Sequence, residues 1–229
     1  MKAVVCGANG AMGKLICGIL GQEVAGKVSL DGENGVAKTF DELGKVEADV
    51  VIDFSHHSAV ADVLKYAKAI GAAAVIGTTG HTPEEKEQIT AAAKEIPVFF
   101  SGNMSLGIAL LCRMAKLAAA GFPNADIEIV ETHHTRKVDA PSGTALMLYN
   151  AIKEVRPNAT ANCGRSGEGK RTKDEIGIHA LRLGNVVGVH EVHIHTGNQS
   201  LTLKHESGSR AMLADGAVAA ARFMVGKAP

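Results

Sequence analysis

Apolar residues fall first in short unbroken blocks and then in alternation, and the change divides the chain near residue 104. Val4 to Cys6 reads as a strand and Met12 to Leu20 as the helix after it. Val24 to Asp31 reads as a second strand. The run ADVVIDF, Ala48 to Phe54, has the continuous apolar character of a buried parallel strand and ends in an aspartate. Ser58 is the expected cap of a helix reaching about Ile70, and Ala73 to Ile76 is the next strand. Thr82-Pro83-Glu84-Glu85 then supplies an N-cap, a proline at the first helical position and early acids, which opens another helix. Val98 to Phe100 closes the series. Short apolar strands separated by amphipathic helices predict a parallel sheet with crossover helices.

Beyond that point Gly107 to Ala120 reads as a helix, Ile127 to Glu131 as an alternating strand, and Ser142 to Val155 as a helix. Residues 161–175, ANCGRSGEGKRTKDE, read as a glycine-rich charged loop. Arg165, Lys170 and Arg171 there are candidates for holding substrate, or simply solvated cations. Ile176 to Leu183, Val186 to His195 and Ser200 to His205 alternate as in a sheet with one covered face and one open face. Met212 to Val225 is an apolar, alanine-rich helix. The expected fold is α/β. A Rossmann-type parallel-sheet domain spans 1–104, with the 206–229 helix returning to it. An α+β substrate and oligomerisation domain with an open mixed sheet spans 105–205.

Composition narrows the function. Lysine plus arginine and aspartate plus glutamate both total 24, aromatics are 3% and tryptophan is absent. A basic footprint for nucleic acid is missing and stacking platforms are few. No apolar run is long enough for a bilayer, and the start lacks a charged n-region with an apolar h-region. Four scattered cysteines without a CxxC pair fit a reduced, cytoplasmic chain. His190, His193 and His195 form HxxHxH, but no cysteine or carboxylate set completes a metal site, so no metal is expected.

Candidate chemistry begins at Gly7-Ala8-Asn9-Gly10-Ala11-Met12-Gly13, between the first strand and first helix. Amides at such a helix start suit a pyrophosphate, because glycine permits close approach and the helix terminus favours anions. The spacing is a variant of the dinucleotide fingerprint, which also calls for an acid about 20 residues on, bonded to the adenine ribose. Asp31 fits, with Glu33 as the alternative. No lysine or arginine follows closely to take a 2′-phosphate, which leans towards NADH over NADPH.

The most informative stretch runs from Glu131 to Ala145, ETHHTRKVDAPSGTA. Two histidines, an arginine and a lysine leave a strand just before Pro141-Ser142-Gly143-Thr144 opens a helix. Amides at Gly143 and Thr144 suit a carboxylate, and the cations beside them suit a second carboxylate and can supply a proton. This stretch closely resembles the signature of the 4-hydroxy-tetrahydrodipicolinate reductase (dihydrodipicolinate reductase) family, and the resemblance covers essentially the whole chain. GANGAMG, DVVIDFS, GTTG, FFSGNMSLGI, EIGIHALRLGNVVGVHEV and LKHESGSRAMLADGAVAAARF follow in the family's order. The resemblance implies an NADH- or NADPH-dependent reductase of a small cyclic dicarboxylate, with loss of water, in lysine and diaminopimelate biosynthesis. It implies His133 as proton donor or acceptor, Lys137 as proton donor, and His134, Gly143 and Thr144 as substrate-binding. It implies cofactor contacts at Gly7, Ala8, Asn9, Gly10, Ala11, Met12, Gly77, Thr78, Thr79, Ser101, Gly102, Asn103 and Met104, and a homotetramer built through substrate-domain sheets. Ala11 departs from the family, where many members carry a basic residue. The stretch before ADVVIDF is short, and the chain ends at Pro229 ahead of the usual tail. The rivals are a related aspartate or homoserine dehydrogenase and a non-catalytic NADH-binding sensor.

Overall fold

Three four-residue strands with no polar interruption before their last position, β1 (Ala3–Cys6), β3 (Val50–Asp53) and β4 (Ala73–Ile76), are buried at every residue. Strands covered on both faces need such runs. With β2 (Val24–Val28) and β5 (Val98–Phe100) they form an all-parallel sheet in the order β2-β1-β3-β4-β5. The computed structural model describes residues 1–229, and this sheet belongs to a unit made of Met1–Ser105 and Arg210–Pro229.

Successive strand residues point to opposite faces, so each strand feeds two cores. Val5, Ile52 and Val75 pack with Ile16 and Leu20 of α1 (Ala11–Leu20) and with Ala214, Ala217 and Ala221 of the last helix, α7 (Ala211–Met224). Val4, Val51 and Ala74 pack on the other side with Val63 and Leu64 of α3 (Val60–Ile70) and Ile89 of α4 (Pro83–Ala92). Thr82 and Glu85 close the capping box expected for α4. Three details differ from expectation. The strand read to Asp31 stops at Val28. Residues 40–43 form a turn of helix, α2 (Phe40–Leu43), capped by Thr39. Ser58 lies inside a 3₁₀ turn whose cap is His56, because the His56 ring accepts from the Ser58 amide.

The second unit, Leu106–Ser209, holds α5 (Leu106–Gly121), β6 (Asp126–His133), α6 (Gly143–Lys153), β7 (Thr160–Cys163), β8 (Glu175–Arg182), β9 (Val189–His195) and β10 (Ser200–Glu206). Its sheet has the order β10-β9-β6-β8-β7, with β6, β7 and β8 mutually parallel in their pairings and β9 antiparallel to both neighbours. Ile108 and Leu111 of α5 and Leu148 and Ile152 of α6 cover one face against Ile127, Ile129, Ile178 and Ile194. The other face carries Glu128, His179, Glu191 and His193 in ion pairs. β7 starts one residue ahead of the segment expected to be loop and runs into it. It is a polar edge strand held by backbone pairing to β8 alone, so no apolar periodicity announces it. Arg165 and Arg171 are tied to Glu128, with Arg165 also on Glu175 and Arg171 on Asp126, so they brace the sheet.

Candidate active site

In the first unit the strand order runs outward in both directions from the β1–β3 pair, which makes the crevice at their carboxyl ends the topological switch point where such sheets bind ligands. The glycine turn sits there. Gly7 adopts φ +78, and a Cβ on it would lie 2.3 Å from the Phe54 carbonyl oxygen after β3. A Cβ on Gly13 would lie 2.1 Å from the Gly7 oxygen, so the first turn of α1 rests directly on the loop. No side chain caps α1, and Gly10 and Ala11 are exposed at its start, with Asn9 and Met12 half-buried. Ala8 is buried in the core. Asn9 Nδ2 donates to Asp31 Oδ1 at 2.6 Å and to the Glu33 carbonyl at 3.2 Å. That bond lowers the Asp31 carboxyl below its ordinary value. Asp31 therefore meets the glycine turn through its side chain, whereas Glu33 meets it through its backbone.

The remaining expected cofactor residues lie at the carboxyl ends of β4 and β5. Gly77 donates its amide to the Asp53 carbonyl, and a Cβ there would strike the Phe54 ring. Thr78 is buried and its hydroxyl donates to Asp53 Oδ2 at 2.7 Å, while Thr79 is exposed. Ser101 donates its hydroxyl to the Asn103 carbonyl at 2.8 Å, forming the turn around exposed Gly102. Met104 packs its side chain into the core, and its carbonyl lies against Gly216 of α7, where a Cβ would come within 1.7 Å of the oxygen.

In the second unit β6 presents Ile127, Ile129, Glu131 and His133 on its covered face, so an apolar row turns polar as it leaves the sheet. Sheet register brings two further groups alongside: Arg182 of β8 lies next to His133, and His190 of β9 lies opposite Glu131. Glu131 is fully buried and meets four donors. His133 Nδ1 is 2.5 Å from Oε2, Arg182 reaches both oxygens at 3.0 Å, and the Ser142 amide reaches Oε1 at 3.0 Å. Burial pushes the Glu131 carboxyl up, but the bonds from His133 and Arg182 outweigh it and hold it at about 2. His190 stands 5.1 Å from the His133 ring; burial, then His133, pushes it down to about 4, so it is neutral near pH 7.

Ser142 caps α6 by accepting from the Ala145 amide, which sets Gly143 and Thr144 in its first turn. Lys137 Nζ bonds Asp139 Oδ1 at 2.7 Å. Burial raises the Asp139 carboxyl, but Lys137 and the backbone of Gly143 outweigh it and lower it overall. His134 follows His133 at the strand exit and is half-buried. Outward-facing His193 bonds Thr202 and Glu191, and His195 bonds Ser200. Glu131 itself was within reach of sequence reasoning, since position i−2 on a strand shares the face of His133. Arg182 and His190 depend on register across the sheet, which no local pattern encodes.

A parallel sheet with a glycine turn at its switch point, joined to a unit carrying a carboxylate-bound histidine beside a helix start, defines a nicotinamide-dependent reductase of the Rossmann type. Residues 1–104 match the family described as dihydrodipicolinate reductase, N-terminus, and residues 107–229 its C-terminus. The chain is 42% identical over 239 residues to the 4-hydroxy-tetrahydrodipicolinate reductase of Clostridium novyi (strain NT), covering 99% of this chain and 93% of that one. It is 40% identical over 240 residues to the enzyme of that name from Caulobacter vibrioides, covering 100% and 93%. The chain belongs to the dihydrodipicolinate reductase family. Among solved structures, the dipicolinate-bound dihydrodipicolinate reductase from Paenisporosarcina sp. TG-14 superposes with a TM-score of 0.81 at 26% identity, covering 98% and 94%. Aspartate dehydrogenase from Thermotoga maritima shares the fold alone, with a TM-score of 0.55 at 13% identity over 100% of this chain and 98% of that one.

Proposed function

We propose that the chain reduces 4-hydroxy-tetrahydrodipicolinate to tetrahydrodipicolinate with NADH or NADPH, releasing water, as a step of lysine and diaminopimelate biosynthesis. The observation that carries this is the buried Glu131–His133 pair beside the start of α6, with Lys137 between them in the chain. Gly7 and Gly13 let the turn, β3 and α1 pack backbone against backbone, and the uncapped α1 start with exposed Gly10 and Ala11 fits a dinucleotide pyrophosphate. The reduced nicotinamide supplies a hydride. Balance then needs one proton per turnover for the substrate and release of one water, and the chain must bind two carboxylates while handling that proton.

Each task has a candidate residue. Gly143 and Thr144 at the α6 start, with His134 nearby in sequence, bind one carboxylate. The Asp139 carboxylate, which accepts from Lys137 Nζ and is lowered by the Gly143 backbone as well, supports this, because a carboxylate already suits that position. The Lys137 ammonium neutralises substrate charge and acts as proton donor, and His133 exchanges a proton. On the cofactor side, Asp31 takes the ribose hydroxyls, favouring NADH, because a carboxylate there repels a 2′-phosphate. No helix is long and apolar enough to cross a membrane, and we read the location as cytoplasmic. We read the assembly as a homotetramer through the open sheet face, so light scattering should give four times 23.7 kDa.

Lys137→Met is the test of the residue roles. It should lower kcat roughly 10²–10⁴-fold, the contribution of a general acid, with NADH affinity unchanged. Thr144→Val should chiefly raise KM. Near-normal kcat in Lys137→Met, or loss of NADH binding in parallel with activity, would overturn them.

A further inference from the structure

Every acceptor direction on the Glu131 carboxylate is used. Oε2 faces His133 Nδ1 at 2.5 Å and Arg182 at 3.0 Å, and Oε1 faces Arg182 at 3.0 Å and the Ser142 amide at 3.0 Å. An ionised carboxylate accepts and cannot donate. His133 Nδ1 must therefore carry the proton in this pair. The opposite ring nitrogen, Nε2, then carries the lone pair in the neutral ring. That nitrogen faces Gly188, where a Cβ would sit 3.2 Å away, so the missing side chain keeps it approachable.

We propose that Glu131, clamped by Arg182, is a positioning residue that fixes His133 in the Nδ1–H tautomer and leaves Nε2 as its proton-exchanging atom. The inference rests on the reading of His133 as an acid–base group. The same carboxylate also holds the Ser142 amide, and Ser142 caps α6, so one buried group sets both the imidazole and the start of the helix that carries Gly143 and Thr144. The low proton affinity of Glu131 keeps it an acceptor throughout the working pH range. The neighbouring His190, neutral because of its burial, adds no charge that would compete for the carboxylate.

Glu131→Gln separates positioning from bulk. The amide nitrogen cannot settle at the Oε1 position, where Arg182 and the Ser142 amide both donate. At the Oε2 position it still opposes one Arg182 donor, but His133 can yield by becoming the acceptor. The variant should therefore hold His133 as the Nε2–H tautomer with the α6 cap intact. Two measurements on the full chain with NADH bound decide the matter. In ¹⁵N-histidine-labelled protein, the His133 signals, assigned by their loss in His133→Asn, should show a protonated Nδ1 in the wild type and a protonated Nε2 in Glu131→Gln. In steady state Glu131→Gln should lose roughly 10²–10⁴-fold in kcat, with KM and NADH affinity held within about twofold.

A wild-type His133 protonated at Nε2 and not at Nδ1, or a Glu131→Gln variant with normal kcat, would overturn the proposal. Because the wild-type spectrum alone suffices for the first of these, the proposal stays testable even if the variant fails to fold. Normal kcat in His133→Asn would instead overturn the acid–base reading itself, and the proposal with it, whatever tautomer is seen.

Discussion

Gly13→Ala offers a test in which structure and propensity oppose each other in sign. Alanine inside a helix is ordinarily worth about 1 kcal/mol over glycine. At Gly13 the added methyl would lie 2.1 Å from the Gly7 oxygen, 2.6 Å from the Ala8 Cα and 2.8 Å from the Gly7 carbonyl carbon. All three are backbone atoms of the glycine turn, so no side chain can swing aside. Relief requires α1 to move away from the turn, and overpacking of this kind costs typically about 1–3 kcal/mol. Setting the propensity gain against the steric cost leaves an expected net loss of up to about 2 kcal/mol. The displaced helix start should also weaken NADH binding about tenfold, equivalent to about 1.4 kcal/mol. Gly18 lies in the same helix with nothing within 4 Å of a built Cβ. Gly18→Ala should therefore stabilise by about 0.5–1 kcal/mol and leave nucleotide affinity alone. Denaturant midpoints and calorimetric NADH titrations on both variants give the comparison. Equal stabilisation by the two substitutions, or unchanged NADH affinity in Gly13→Ala, would refute the account of the turn.

Two further outcomes follow from the site. His190 is depressed to about 4 and Glu131 to about 2, so in both cases the unfolded chain takes up the proton first. The His190 contribution to stability should be lost as pH falls from about 6.5 to 4, and the Glu131 contribution as pH falls from about 4.5 to 2. Denaturant midpoints measured against pH should show both segments, with the upper one missing in His190→Gln; a flat wild-type profile from pH 6.5 to 4 would contradict this. Asp31→Ala should weaken NADH and narrow its advantage over NADPH, read by titration with each nucleotide, and an unchanged NADH affinity would remove Asp31 from the ribose site.

What was legible in the sequence was what local pattern encodes. β4 emerges at Ala73–Ile76 as expected, because a buried parallel strand must be a short apolar run, and β5 at Val98–Phe100 is a short apolar run at the edge of the same sheet. The start of α4 was readable because Thr82, Pro83 and Glu85 act within one turn. β7 was not, since an edge strand needs only backbone pairing and Thr160 to Cys163 bury no face. His133 and Lys137 stood out by resemblance and by their place before a helix start. Arg182 and His190 did not, because 49 and 57 residues of chain separate them from His133 and only sheet register joins the three. The arginines of the glycine-rich segment looked like candidates for substrate, yet Glu128 and Glu175 are what they bind.

The central claim is that this chain turns over 4-hydroxy-tetrahydrodipicolinate at the expense of a reduced nicotinamide. The most direct measurement is the steady-state loss of reduced-nicotinamide absorbance when the full chain meets that substrate, freshly generated, with NADH and with NADPH. The account predicts saturable oxidation of at least one of the two, with kcat on the order of 1–10³ s⁻¹ and one tetrahydrodipicolinate formed per nucleotide oxidised. Nucleotide binding without any oxidation above the rate in the absence of the chain would contradict it and leave an NADH-binding sensor in its place.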